Sequence, residues 1–401
     1  MSRSFTILLL TFACFATSIS EFAIVGVVDI IAADLGVSIS AAGQLLTAFA
    51  LSGGIGVPLT VMALSRFERR TVMAIALALV AVGCGFVSVV GSLALMMVSR
   101  ALMAIGCGIL AVSSFAAAPG LARPGRETSA IATVTLGFNG ALVLGLPIGR
   151  LLTEVLPWTA VFWFVGAASA LLIPAVWLAV PPSRATGVQP LPLTRQLALL
   201  ARPRVLFTFG ITLFWTSGYA TMYSYITPYL QDSAALTATI LSGVLLGYGL
   251  ATLVGNKLGG ALADRFGIRK VIVPAIGAQA VMLTAMFLLD GPVWLIIASV
   301  IVWGLVSWIP SPIINMAVIQ AAPDASDVML SLNNSFTQLA YAIGSGAGGA
   351  VITLGSTRNL CLAAIVLIAV GAASTVLATR GGNRCPALVR PTAEALEPAT
   401  I

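Results

Sequence analysis

The sequence predicts an all-α integral membrane protein with twelve transmembrane helices in two pseudo-symmetric six-helix bundles. Three observations carry that expectation. Mean hydropathy is +1.07, and only 8% of residues are charged, where a soluble domain carries roughly a quarter. The apolar residues fall in runs of about 20, the length that crosses a hydrocarbon core of ~30 Å. The chain also repeats itself at an offset of 199 residues.

The runs lie at 6–28, 41–63, 71–90, 92–115, 128–152, 159–180, 205–229, 237–258, 271–289, 292–315, 328–353 and 358–379. The first has Arg3 ahead of it, as a signal peptide would. It continues past a normal apolar core to Glu21 without a cleavage site, so it reads as a retained helix. Only 181–204 and 380–401 are left to lie outside a membrane, and no GxxxxGK[ST] loop occurs. ATP hydrolysis within this chain is not expected.

At offset 199, Ser65-Arg66-Phe67-Glu68-Arg69-Arg70 falls on Asp264-Arg265-Phe266-Gly267-Ile268-Arg269. The same shift carries Gly145, Pro147 and Gly149 onto Gly344, Gly346 and Gly348. The domains expected are an N-terminal bundle over 1–180, a cytoplasmic linker 181–204, a C-terminal bundle over 205–380 and a cytoplasmic tail 381–401. Parallel halves with a midplane site between them are a transporter architecture.

The net charge of +7 reports orientation rather than a nucleic-acid partner. Sixteen of the twenty Lys and Arg lie before the first run, in the even-numbered gaps or in the tail. The odd-numbered gaps hold mainly acids: Asp29, Asp34, Asp232 and Asp290. The positive-inside rule then places both termini in the cytoplasm of a cell inner (cytoplasmic) membrane. With no histidine and five cysteines without paired spacing, metal sites lack their usual ligands. No cofactor is expected.

Several motifs carry a family resemblance. Gly260, Asp264, Arg265, Gly267, Arg269 and Lys270 resemble the cytoplasmic loop signature of the major facilitator superfamily, GxxxDRxGxR. Arg100 with Gly106 and Gly108 resembles its helix-4 motif, and Gly137, Gly145, Pro147 and Gly149 resemble the helix-5 motif of antiporters. Ser20-Glu21-Phe22, Gly26, Asp34, Gly36 and Ser38 resemble the opening of the drug:proton antiporter branch, which exports drugs, sugars and nucleosides. The first loop copy departs from the pattern, with Ser65 and Glu68 where an acid and a glycine belong.

The resemblance implies conformational gating by Asp264, Arg265, Gly267 and Arg269, and by Gly145, Pro147 and Gly149. Asp264 could stabilise one rocking state by an ionic contact of ~1 kcal/mol; the bland reading is a solvated charged turn. For the glycines, plain helix packing is equally open.

Ionisable residues inside a membrane are costly, at ~2.5–3.5 kcal/mol on insertion scales. Lys257 is near enough to an edge to snorkel. Glu21 and Arg100 are deeper, and at 1.5 Å per residue both sit roughly 12 Å below the outer surface. Burial favours a neutral carboxyl and a neighbouring arginine favours a charged one, so small shifts could switch protonation. The alternatives are a permanent ion pair, or Arg100 held by backbone carbonyls. Asp29, near the outer boundary, is a second proton-coupling candidate.

Trp215, Tyr219 and Tyr223 recur every four residues on the seventh run, with Tyr225, Pro228 and Tyr229 beyond. A belt at the membrane interface suits Tyr229; the first three are expected in a substrate cavity. Amides Gln44, Asn139, Asn333, Asn334 and Gln338 complete the expected lining, or else join helices. Such a mixed lining suits a small amphipathic organic molecule.

The expected activity is proton-coupled secondary transport by alternating access, most simply drug or metabolite efflux. Import or facilitation of a sugar, nucleoside or similar nutrient is the alternative. A membrane enzyme would need a nucleophile with a nearby base, and a receptor would need a signalling module. Expected partners are a small organic substrate, protons and the lipid bilayer, with the chain acting as a monomer.

Overall fold

The computed structural model describes residues 3–89, 91–123, 126–182, 200–289, 291–322 and 325–380. Most of the expected linker, the expected tail and Asp290 lie outside the described residues.

Twelve long helices follow the apolar runs among the described residues. In the first half they are α1 (Arg3–Gly26), α2 (Ile39–Leu64), α3 (Arg69–Val89), α4 (Leu93–Leu121), α5 (Glu127–Leu152) and α6 (Thr159–Ala179). In the second they are α7 (Pro203–Tyr223), α8 (Ala238–Phe266), α9 (Ile268–Leu288), α10 (Val293–Ala321), α11 (Ser326–Leu354) and α12 (Leu360–Arg380). Eleven of these are long and apolar enough to cross a membrane. The other, α11, has the length but carries Asn333, Asn334 and Gln338 on it.

Several helices differ from the runs that predicted them. Helices α4 and α8 run on to Leu121 and Phe266, past the ends expected at 115 and 258, because a helix need not stop where the hydrocarbon does. Helix α1 tightens into a 3₁₀ turn over Ala23–Gly26 and is followed by a short helix, Val28–Asp34. Helix α7 breaks at Ser224 and Tyr225 before a short helix, Ile226–Ala234. Helix α10 is interrupted at Ile309, since Pro310 has no N–H to continue the ladder.

The 199-residue repeat is visible in the packing. Helix α1 packs on α5 and α6, and α7 on α11 and α12; α3 packs on α4 and α6, and α9 on α10 and α12. Each pair recurs six helices later. The helix starts repeat too: Ser38 caps α2 by accepting from the Ala41 N–H at 3.1 Å, and Thr237 caps α8 from the Ile240 N–H at 3.4 Å. Such caps contribute about 1 kcal/mol each. The halves meet along α2 against α11 and α5 against α8, two contacts that the same shift exchanges.

Leu171 and Leu178 on α6 are 76% and 77% exposed, one stripe of a large apolar outer surface. That surface suits lipid rather than water. Inside, many hydroxyls donate to carbonyls of their own helix, as Thr17 donates to Ala13 O at 2.9 Å and Thr221 to Ser217 O at 2.8 Å. Among the described residues, contacts between the halves run from mid-depth to the end bearing Asp29 and Asp232. Thr47 and Ser345 hydroxyls are 2.8 Å apart there, and Thr227 donates to Val25 O at 2.9 Å.

Candidate functional site

Two neighbouring cavities hold most of the residues expected to couple protons or line a substrate cavity, and none of those expected to gate. The first lies between the halves and is lined by Glu21 of α1, Phe49 of α2, Arg100 of α4, Tyr223 of α7, and Gln338 and Tyr341 of α11. Glu21 and Arg100 therefore do share one space, 79 positions apart in the chain.

They do not form the closed ion pair that pairing of rare charges suggests: among the described residues the salt bridges within 4.0 Å are Arg70–Glu68 and Arg150–Asp29. Arg100, 1% exposed, donates through Nη1 to Ser20 O at 2.6 Å and lies 4.3 Å from the Phe49 ring centre. Its Nε and Nη2 have no hydrogen-bond partner. A backbone carbonyl and an aromatic face thus hold the guanidinium, and its remaining donors stay available to a carboxylate that moves. Gln338 turns its amide toward the Glu21 carboxyl. The Tyr223 hydroxyl is buried on the same cavity without a partner.

Helix α2 makes this closeness between halves feasible. Its middle opens into a π turn over Ser52–Gly56, a distortion common at functional sites. There Gly53 and Gly54 lie under Gln338 and Ser335 of α11, with no side chain to hold the helices apart.

The second cavity, about 290 Å³, lies between α7, α10 and α11. Trp215 and Tyr219 of the expected stripe form its wall, stacked with ring centres 6.4 Å apart, while Tyr223, stacked on Tyr219 at 5.2 Å, lines the first cavity. Trp308 and Tyr341 add two further rings, each edge-on to Tyr219 at 6.1 Å. Asn333 and Asn334 line it as well. Asn333 is committed to structure, accepting from Thr212 Oγ1 at 2.7 Å and donating to Asn315 Oδ1 at 2.9 Å. Asn315, Leu330 and Asn334 are exposed at its mouth, which faces the arginine-bearing end of the bundle.

Other expected lining residues are placed elsewhere. Gln44 sits in the α2–α11 seam beside Gly349, and Asn139 on α5 is partly buried; neither lines these two cavities. Tyr229 belongs to no surface belt: it is 3% exposed and its hydroxyl points to Met286 O at 3.5 Å. Asp29 is likewise outside the Glu21 cavity. Arg150 Nη1 donates to its two carboxylate oxygens at 2.9 and 2.7 Å, tying the short helix after α1 to the end of α5.

Asp29→Asn is expected to lower the thermal unfolding midpoint by a few degrees, since it leaves the Arg150 guanidinium, 9% exposed, unpaired. A cost of about 1–3 kcal/mol lies between exposed and fully buried pairs. Thermal unfolding read beside transport checks it. Unchanged stability with lost transport would return Asp29 to the coupling machinery.

Gly145 and Gly149 face Phe22 and Ala23 of α1, and a Cβ on Gly149 would stand 2.8 Å from Ala23 O. Their counterparts Gly344 and Gly348 face α7 in the same way. Pro147 lies within α5 between the two. Asp264, Arg265 and Gly267 are exposed at the arginine-bearing end; Arg265 lies 5.2 Å from the Phe266 ring centre. Gly267 has φ +84°, a value that favours glycine, and it ends α8. Arg269 lies in the first turn of α9.

Reasoning from sequence missed Phe49, Trp308 and Tyr341. Tyr341 could have been found, because it lies three residues after Gln338 and so on the same helix face.

With this fold and these cavities in view, the class is that of a multi-pass membrane transporter. The Major Facilitator Superfamily model matches residues 10–345, with a second match over 244–398, and the chain belongs to that family. An uncharacterized MFS-type transporter of Bacillus subtilis strain 168, YbcL, is 32% identical over 380 residues, covering 94% of this chain and 96% of its own. The inner membrane transport protein YdhP of Escherichia coli K12 is 29% identical over 358 residues, covering 88% and 90%. A crystal structure of a bacterial homologue of the human lysosomal transporter Spinster, inward-facing and occupied, shares the fold. It superposes with a TM-score of 0.75 at 16% identity, over 94% of this chain and 97% of that one.

Proposed function

We propose that this chain is a proton-coupled transporter exporting small organic molecules across a bacterial inner membrane by alternating access. One observation carries the proposal. A carboxyl of the first half, Glu21, and an unpaired face of Arg100 open into a cavity closed by Gln338, Tyr223 and Tyr341 of the second half. Tyr341 also walls the neighbouring aromatic cavity. A change of charge at Glu21 is therefore felt where the halves touch and beside the space a ligand would fill, which is what coupling requires.

The arginine-bearing end is assigned to the cytoplasm by the positive-inside rule, so the arrangement of contacts corresponds to an inward-open state. The turn of Asp264, Arg265 and Gly267, exposed here, is assigned together with Arg269 to contacts of the opposite state. Export rather than import rests on the resemblance of Gly137, Gly145, Pro147 and Gly149 to the antiporter motif.

The test is uptake into everted vesicles containing this protein, with a panel of dyes, antibiotics, sugars and nucleosides, under an imposed pH gradient. Accumulation that an uncoupler collapses is the expected result. Equilibration that ignores the gradient would make the protein a facilitator. Reporter fusions at 232 should read outside and at 123 inside; the reverse would overturn the orientation.

A further inference from the structure

We infer that Tyr225 is a bolt that closes the outer route to Glu21, seated in a socket built by both halves. The inference rests on the transporter reading for what the route carries, but closure of the route is measurable without transport.

The socket lies in the seam between α2 and α11. Tyr225 stands at the break in α7 and is fully buried. Its hydroxyl donates to Ser345 O of α11 at 3.0 Å. Its ring lies on Gly348, where a Cβ would stand 2.7 Å from Cε2. The tip of the ring reaches across to the first half, where a Cβ on Gly43 of α2 would overlap the hydroxyl. A Cβ on Gly349 would stand 2.8 Å from the same oxygen. The ring therefore fits only because both helices are bare of side chains there. Beside it the Thr47 and Ser345 hydroxyls, 2.8 Å apart, join the two helices.

This socket covers the Glu21 cavity. Ser224, Leu46 and Tyr341 line that cavity on α7, α2 and α11. Toward the end bearing Asp29 and Asp232, the socket residues come next on each helix. Tyr225 follows Ser224, Gly43 lies one turn beyond Leu46, and Ser345 and Gly348 lie one and two turns beyond Tyr341.

The repeat shows that the fold of a half does not itself demand this ring. The 199-residue offset carries Tyr225 onto Gly26, which ends the 3₁₀ turn at the matching break after α1. There the backbone closes directly on α5, since a Cβ on Gly26 would stand 2.6 Å from Leu146 O. One half thus turns this corner with no side chain, while the other places a tyrosine there and inserts it against a glycine of its neighbour. Held to its own half by Ser345 and Gly348, the ring can leave Gly43 intact when the halves part.

The experiment uses the full-length protein in right-side-out vesicles with a reporter, Ala50→Cys, at a position that lines the Glu21 cavity and is buried. A membrane-impermeant maleimide is added outside, and protein without the reporter gives the background of the native cysteines. Tyr225→Ala and the milder Tyr225→Leu, each judged folded by monodisperse elution, should label about tenfold faster than the parent reporter protein. Tyr225→Phe keeps the ring and should stay within about threefold. Gly43→Phe should also label faster, because it fills the socket and holds the seam apart. Joined to Tyr225→Ala it should label more slowly than either single variant, since one ring again fills one socket. Parent-rate labelling in both Tyr225→Ala and Tyr225→Leu overturns the inference, as does a double variant that labels as fast as the faster single. The assay uses neither ligand nor gradient. Labelling that ignores Tyr225 would therefore overturn the bolt alone, whereas uptake that ignores a pH gradient would overturn the coupled-transport reading alone.

Discussion

Glu21→Gln is expected to abolish accumulation driven by a pH gradient while leaving ligand binding within about threefold of the parent. Glutamine has the shape of the protonated acid and cannot give the proton up. It also leaves the surrounding contacts intact, since Arg100 is held by Ser20 O and the Phe49 ring rather than by Glu21. The groups facing the carboxyl are Arg100 and Cys107 from α4, Tyr223 from α7, and Gln338 and Tyr341 from α11. Among them Glu21 is the acid that can ionise without forming a phenolate or thiolate. The size of the effect follows from the gradient. One proton moving down one pH unit supplies about 1.4 kcal/mol, which is tenfold in concentration. The parent should therefore approach tenfold accumulation per pH unit for each proton exchanged, and the mutant about onefold. Ligand addition in detergent should release or take up protons in the parent and not in the mutant. A mutant accumulating at the parent level would make Glu21 structural, and Asp29 the next residue to test.

The depth match of Glu21 and Arg100 was legible because charges in apolar helices are rare and their register is fixed at 1.5 Å per residue. That they stop short of an ion pair was not. Separation across helices depends on how α1, α2 and α4 pack, and the Phe49 ring that shares Arg100 gives no polar signal in sequence. The repeat was legible from loop residues and glycines, and it extends to the paired caps Ser38 and Thr237. Amides were the weakest guide. An Asn or Gln in an apolar run shows that a partner is needed, not which face it lies on, and so Gln44 and Asn139 were grouped with Asn333 and Asn334. The Asp29–Arg150 pair shows the same limit: Asp29 stood out near a span edge, but its partner lies 121 positions away. Tyr341, the residue common to both cavities, is legible only through its spacing of three from Gln338.

Gly259→Leu is expected to remove most of the folded protein, the largest stability effect anticipated for a single substitution here. Gly255 and Gly259 lie four apart on one face of α8. A side chain at the first would collide with the backbone carbonyl of Leu305, and at the second with that of Ile309. The neighbours at fault are backbone atoms of α10, which no rotamer change can move. This is the close approach that small residues permit between membrane helices, where packing replaces the hydrophobic effect as the main attraction. Overpacking generally costs 1–3 kcal/mol when neighbours can shift, and here the neighbour is the segment before Pro310, already interrupted. Gly259→Ala should therefore lower the unfolding midpoint by several degrees, and Gly259→Leu should lose the monodisperse peak in size-exclusion chromatography. The effect should also reach the ligand. Helix α10 carries Trp308, whose indole N–H holds the Tyr219 hydroxyl in the cavity wall. Pushing α10 away from α8 displaces that ring, so the alanine variant should bind ligand more weakly than its stability alone accounts for. A leucine variant with the parent's elution profile and melting temperature would show that α8 and α10 can separate freely, and would remove the packing account of both glycines.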